Sequence, residues 1–249
     1  MLKIDERGAV SPQIYSALRQ AIITMALKPG QALSEKEIAL SFGSSRQPVR
    51  EAFIKLAEAG LVRVLPQRGT YVVKVSPKQV ADARFVREAV EVAVARHCCL
   101  SAGKPAIDAL ERIVAEQESA AAADDHAGFL ALDEAFHKGL AEAIGCSEAW
   151  RVIEMGKAQM DRVRYLSLPE ASPMSLLIDQ HRAILAAIRA GDADRAAAAV
   201  RIHLREILVS LPRLAEAYPE LFEDEDLPGH AADLQVGVRE DASETRSPK

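Results

Sequence analysis

Across residues 80–211 the apolar side chains return every three or four positions almost without interruption, and nothing there alternates with period two. A stretch of that kind can bury its apolar stripes only by packing helix on helix, so it must form a bundle. Gly, Pro and capping residues divide it into six helices, expected at 80–97, 106–122, 126–144, 147–165, 174–190 and 192–211. Frequent alanine runs and an aromatic content of 4% agree with helices and speak against sandwiches or barrels.

Polar groups interrupt three of these stripes. In "LDEAFHKGL" Asp133 stands four residues before His137, so both project from the face that carries Phe129, Leu130, Phe136, Leu140 and Ile144. His181 lies among Leu177, Ile184, Leu185 and Ile188, and His203 among Ala196, Ala199, Val200 and Ile207. One such pair is more often an ion pair at a core margin, and one such histidine a satisfied core residue. Four together, from three helices, are costly to bury unless they share a partner. Three imidazoles and a carboxylate are ligands that a divalent transition metal takes, zinc first and nickel second.

Residues 1–75 have a different pattern and charge. They carry 11 Lys and Arg against 6 Asp and Glu, whereas the whole chain has a net charge of −5. A basic segment on an acidic protein suits a polyanion. Residues 11–27 read as a helix stopped by Pro29 and Gly30. Ser34 and Glu37 form a capping box that starts a second helix, and Gly43 ends it. A third follows from Ser45, with Val49, Ala52, Phe53 and Leu56 as its inner stripe. "LVRVLPQRGTYVVKV" then reads as two strands joined by Pro66 to Gly69. The predicted fold is mainly α: an N-terminal winged helix-turn-helix with a small β-hairpin wing (1–75), a link (76–79) and an all-α bundle (80–215). In such a head the third helix offers its first residues to the major groove; here these are Ser45, Arg46, Gln47 and Arg50. Arg68 and Gly69 at the hairpin tip can approach a groove or phosphate.

"LSEKEIALSFGSSRQPVREAFIKLAEAGLVRVLPQRGTYV" resembles the N-terminal domain of the GntR-family transcriptional regulators. That resemblance implies that Lys36, Ser45, Arg46, Gln47, Arg50, Arg68 and Gly69 touch double-stranded operator DNA. Gln47 departs from the threonine common there, which bears on the operator read rather than on the fold. The bundle is similar, over about 81–211, to the FCD sensor domain of the FadR-like subgroup, whose metal ligands match Asp133, His137, His181 and His203. "FVREAVE", with Arg87 and Glu91, fits the opening of that domain. The likeness implies an open metal shell that a small carboxylate effector completes, and the expected protein is a homodimeric, ligand-responsive repressor that releases a palindromic operator when the effector binds. Arg87 and Arg164 would clamp the effector if they point inward; a surface ion pair is the plainer role for each.

Other classes are disfavoured. No H-E-x-x-H places a base beside the histidines, and Glu134 should point about 100° away from Asp133, so a metal-dependent hydrolase is a weaker reading. An architectural DNA-binding protein with a purely structural metal is the third. No apolar run spans a membrane, and the first residues are too acidic for a signal peptide, so a cytoplasmic protein is expected. Cys98, Cys99 and Cys146 show no metal or disulfide spacing and are expected to be buried. The acidic tail at 222–249 is expected to be disordered, and His97, His126 and His230 lack a partner pattern.

Overall fold

The computed structural model describes residues 9–168 and 172–231. The head consists of α1 (Val10–Ile23), β1 (Ala32–Leu33), α2 (Glu35–Ser41), α3 (Arg46–Glu58), β2 (Val62–Leu65) and β3 (Gly69–Val72). Ile14, Leu18 and Ile22 of α1 close on Val49, Ala52, Phe53 and Leu56 of α3 to make its core. Ser34 caps α2 by accepting from the Glu37 amide at 3.3 Å. The hairpin forms as expected, with Val62 opposite Val72 and Leu65 opposite Gly69. β1, which the sequence did not announce, adds a third antiparallel strand in the order β1-β3-β2. Two residues are too few to show an alternation.

Among the described residues seven α-helices follow: α4 (Pro77–Ser101), α5 (Lys104–Ala122), α6 (His126–Ala143), α7 (Ser147–Gly156), α8 (Ala158–Ser167), α9 (Met174–Arg189) and α10 (Ala193–Ala217). Their main core joins Val94 and Cys98 of α4 to Leu110, Phe129, Phe136, Leu140, Ile184 and Leu204. α5 and α6 come close at Gly139, where an added Cβ would lie 2.8 Å from Leu110 Cδ2. A larger residue there would require the Leu110 side chain to shift.

Four expectations need correction. Residues 77–79 are no linker: Ser76 accepts from the Gln79 amide and Pro77 opens α4 directly. The helix expected at 147–165 is two, parted at Lys157, whose buried ammonium reaches Glu134 Oε2 at 3.1 Å and Asp161 Oδ2 at 2.8 Å and lies 5.7 Å from the Trp150 ring centre. Cys146 is exposed, unlike buried Cys98. The tail's first residues are packed, because Phe222 pairs with Val75 and is buried, as is Ala231, in a junction core with Val80, Met160, Val163 and Leu211. Residues 232–249 lie outside the described residues.

Candidate functional site

α6, α9 and α10 carry Asp133 and His137, His181, and His203 into the bundle's interior, where all four are buried. One ligand atom from each lies within 4.8 Å of those of the other three. His203 Nε2 is 3.0 Å from His137 Nε2 and 3.3 Å from His181 Nε2. Asp133 Oδ2 is 3.7 Å from His137 Nε2, and its Oδ1 is 3.5 Å from His181 Nε2.

The outer nitrogens fix the tautomers. Nδ1 of His137 faces Glu91 Oε2 at 2.6 Å, that of His181 faces Gln117 Oε1 at 2.9 Å, and that of His203 faces Gln180 Oε1 at 2.9 Å. Each of these oxygens accepts, so each Nδ1 donates. A neutral imidazole has one N–H, and its Nε2 is then a bare lone pair. Three lone pairs therefore point at one another with a carboxylate beside them. Burial pushes His181 down to about 3 and His203 well below its ordinary range, so neither of these two rings readily takes a proton to relieve the contact. Burial alone would raise Asp133, but the Arg164 guanidinium outweighs it and holds the carboxyl well below the usual range. Among the described residues Asp133 Oδ1 accepts no hydrogen bond. Metal–ligand bonds of roughly 2.0–2.2 Å put neighbouring ligand atoms about 3 to 4 Å apart, which these separations match. The residues present fit a divalent cation.

Both expected arginines point inward, so neither is a surface ion pair. Arg164 donates to Asp133 Oδ2. Arg87 Nε donates to Glu91 Oε1, while its Nη2 is buried without a partner among the described residues. With Asp133, His203 and Glu206 they line a cavity of about 30 Å³. That is room for one or two waters, so a larger ligand requires the bundle to open there. The formal charges of Arg87, Glu91, Asp133 and Arg164 cancel. Gln117, Gln180 and Glu206, whose carboxyl burial pushes up, were not foreseen. Nothing in sequence marks a helical glutamine as facing a particular histidine. Glu91 had a cue, four residues after Arg87. Glu134, the nearest extra carboxylate in sequence, turns instead to Lys157.

On the head, Lys36, Ser45, Arg46, Gln47, Arg50, Arg68 and Gly69 are all exposed. Arg50 Nε is 2.9 Å from Glu35 Oε2, and Gln47 donates to Glu51 at 3.3 Å. Lys36, Arg46 and Arg68 make no ion pair among the described residues. Gly69, at φ 105°, holds the wing tip in a conformation that favours glycine, and Tyr71 caps the turn by donating to the Arg68 carbonyl.

The profile of the bacterial regulatory proteins, gntR family, matches residues 11–72, and that of the FCD domain matches residues 82–206. The HTH-type transcriptional repressor RspR of Escherichia coli (strain K12) is 41% identical over 223 residues, covering 90% of this chain and 98% of that protein. The chain belongs to the GntR family. As a GntR regulator with an FCD domain it is a DNA-binding transcriptional regulator rather than an enzyme. A more distant relative, the gluconate operon transcriptional repressor of Bacillus subtilis (strain 168), is 27% identical over 75% of this chain and 78% of its own length. Escherichia coli McbR/YncC shares the fold, with a TM-score of 0.68 at 20% identity, over 86% of this chain and 99% of that one. Among the described residues of this GntR regulator, no helix is long and apolar enough to cross a membrane.

Proposed function

We propose that this GntR regulator is a metal-dependent, carboxylate-responsive repressor that binds a palindromic operator as a homodimer. The observation that carries the reading is the set of three Nε2 lone pairs converging beside the unpartnered Asp133 oxygen. Asp133, His137, His181 and His203 would hold the ion, zinc first and nickel second. When bound, the ion supplies a Lewis-acidic positive centre for an anionic ligand. Arg87, Glu91, Asp133 and Arg164 cancel in formal charge, so a divalent ion outweighs the one further carboxyl that lines the cavity, Glu206, and leaves the site with an excess of positive charge. That excess, with the unpartnered Arg87 Nη2, favours a small carboxylate over a neutral or cationic effector. Arg164 is committed to Asp133 and must turn away before it can clamp the effector.

The head reads DNA through Arg46, Gln47 and Arg50 in the major groove, with Ser45 at the helix start and Lys36, Arg68 and Gly69 at the backbone or an adjoining groove. Two heads in a symmetric dimer read half-sites about one helical turn apart. Effector binding releases the operator, and a coupling of about 1–3 kcal/mol would weaken affinity about 5- to 150-fold. The test is a gel-shift titration of the zinc-loaded protein on an operator selected from a random DNA pool, with mono-, di- and tricarboxylates. Release by at least one acid, absent in Arg87→Met, supports the reading. Tightening alone, or indifference to every acid, counts against it.

A further inference from the structure

One face of α8 packs on the head and another lines the metal centre. Toward the head, Ala158 joins the head's core, Gln159 donates to the Gly60 carbonyl at 2.6 Å, and Arg162, fully buried, donates to the Val73 carbonyl at 2.9 Å. Toward the centre, Arg164 holds Asp133. Between these contacts stands Asp161. Its Oδ2 takes Arg19 Nη2 of α1 at 2.6 Å and Lys157 Nζ at 2.8 Å, and its Oδ1 lies 4.0 Å from Arg164 Nη1. Alternating charges thus run from a metal ligand in α6 through α8 to the first helix of the head: Asp133, Arg164, Asp161, Arg19.

We infer that this chain of ion pairs is the relay by which occupancy of the centre acts on the head. The inference rests on the metal reading above and adds how that site is read out. A cation drawing on both Asp133 oxygens weakens the carboxylate's hold on Arg164 and repels the guanidinium. Among the described residues the next anion in reach is Asp161, and a cavity of about 120 Å³ bounded by Arg19, Glu134, Asp161, Arg164 and Tyr165 gives the side chain space to turn. Arg164 then competes with Arg19 for Asp161, and α1 is held less firmly. An anionic effector on the ion draws Arg164 back and restores the grip. Metal alone and metal with effector therefore bias the head oppositely, which is what a signal requires of a ligand that must distinguish two states.

Hydrogen–deuterium exchange on the full chain, with zinc or with chelator, tests this without the effector or operator in hand. In the wild type, zinc should slow exchange in α6 and α9 and speed it in α1 by about 5-fold or more. In Arg19→Met the α1 response should vanish while α6 and α9 still respond. Arg19→Lys, which keeps the cation, should retain the α1 response. Asp161→Asn should lose it as Arg19→Met does, which tests the same link from the other side. An α1 response undiminished in both Arg19→Met and Asp161→Asn overturns the relay. A wild-type α1 indifferent to zinc while α6 and α9 respond also overturns it, leaving the metal reading intact. No response anywhere removes both.

Discussion

His137 Nε2 and His203 Nε2 stand 3.0 Å apart in the bundle's interior, and with both rings neutral neither has a proton to give the other. Each ring spends its only N–H on an outer acceptor, Glu91 for His137 and Gln180 for His203. Such a contact is repulsive until a cation lies between the lone pairs, and this ties the protein's stability to the ion.

Zinc should therefore stabilise the chain by mass action. At free zinc about 100-fold above Kd the gain is about 2.7 kcal/mol. Urea unfolding in zinc buffers should show it as a raised midpoint, and His181→Ala should lose most of it. An equal gain in that variant would mean that zinc binds elsewhere.

The outer acceptors set the donor tautomers, so their removal should cost affinity without removing a ligand. Gln117→Leu should weaken zinc binding about 10- to 100-fold, with the ion still bound at saturation. Competition against a chromophoric chelator measures this. Unchanged affinity would show that the Gln117 contact does not orient His181.

Acid should destabilise the metal-free protein in a defined window. His181 titrates near 6.5 when unfolded and at about 3 when folded, so between these values the unfolded chain binds more protons. Stability is fully present above the upper value and falls as pH drops through the window. Glu91 acts in the same direction lower down, between 4.5 and about 2, because Arg87 and His137 outweigh its burial. Urea midpoints of chelator-treated protein should fall steadily as pH is lowered from about 7 to about 4.5. A flat profile there would mean that His181 is not buried neutral.

On the head, Arg46→Ala should cost about 1–3 kcal/mol against the selected operator and relax specificity, whereas Lys36→Ala should weaken all sequences alike and lower the salt slope by about 1. Glu35→Gln frees Arg50 from its ion pair and removes a negative charge near the DNA. Since exposed pairs are worth about 0–1 kcal/mol, it should tighten binding by up to about 5-fold. Fluorescence anisotropy at several salt concentrations separates these effects.

The bundle and the head were readable from periodicity and capping because their stripes are long and their turn residues distinctive: Val49, Ala52, Phe53 and Leu56 are all buried as their spacing implies. Asp133, His137, His181 and His203 stood out because polar side chains on apolar stripes conflict with their surroundings. What sequence did not carry were relations between distant segments. Gln117 is an ordinary helical glutamine until α9 brings His181 to it. At the break, Lys157 joins Glu134 of one helix to Asp161 of another, a contact that no local pattern announces. The first tail residues are ordered because Val75 offers a strand partner to Phe222, a pairing that no local pattern announces.

The most direct measurement is native mass spectrometry of the chain purified without added metal, alongside His203→Ala and Asp133→Asn. One divalent transition-metal ion per wild-type chain, lost or sharply reduced in both variants, is the result expected of a centre built from those side chains. A wild-type chain that carries no ion and takes up none from zinc or nickel, or variants that retain it in full, would contradict it.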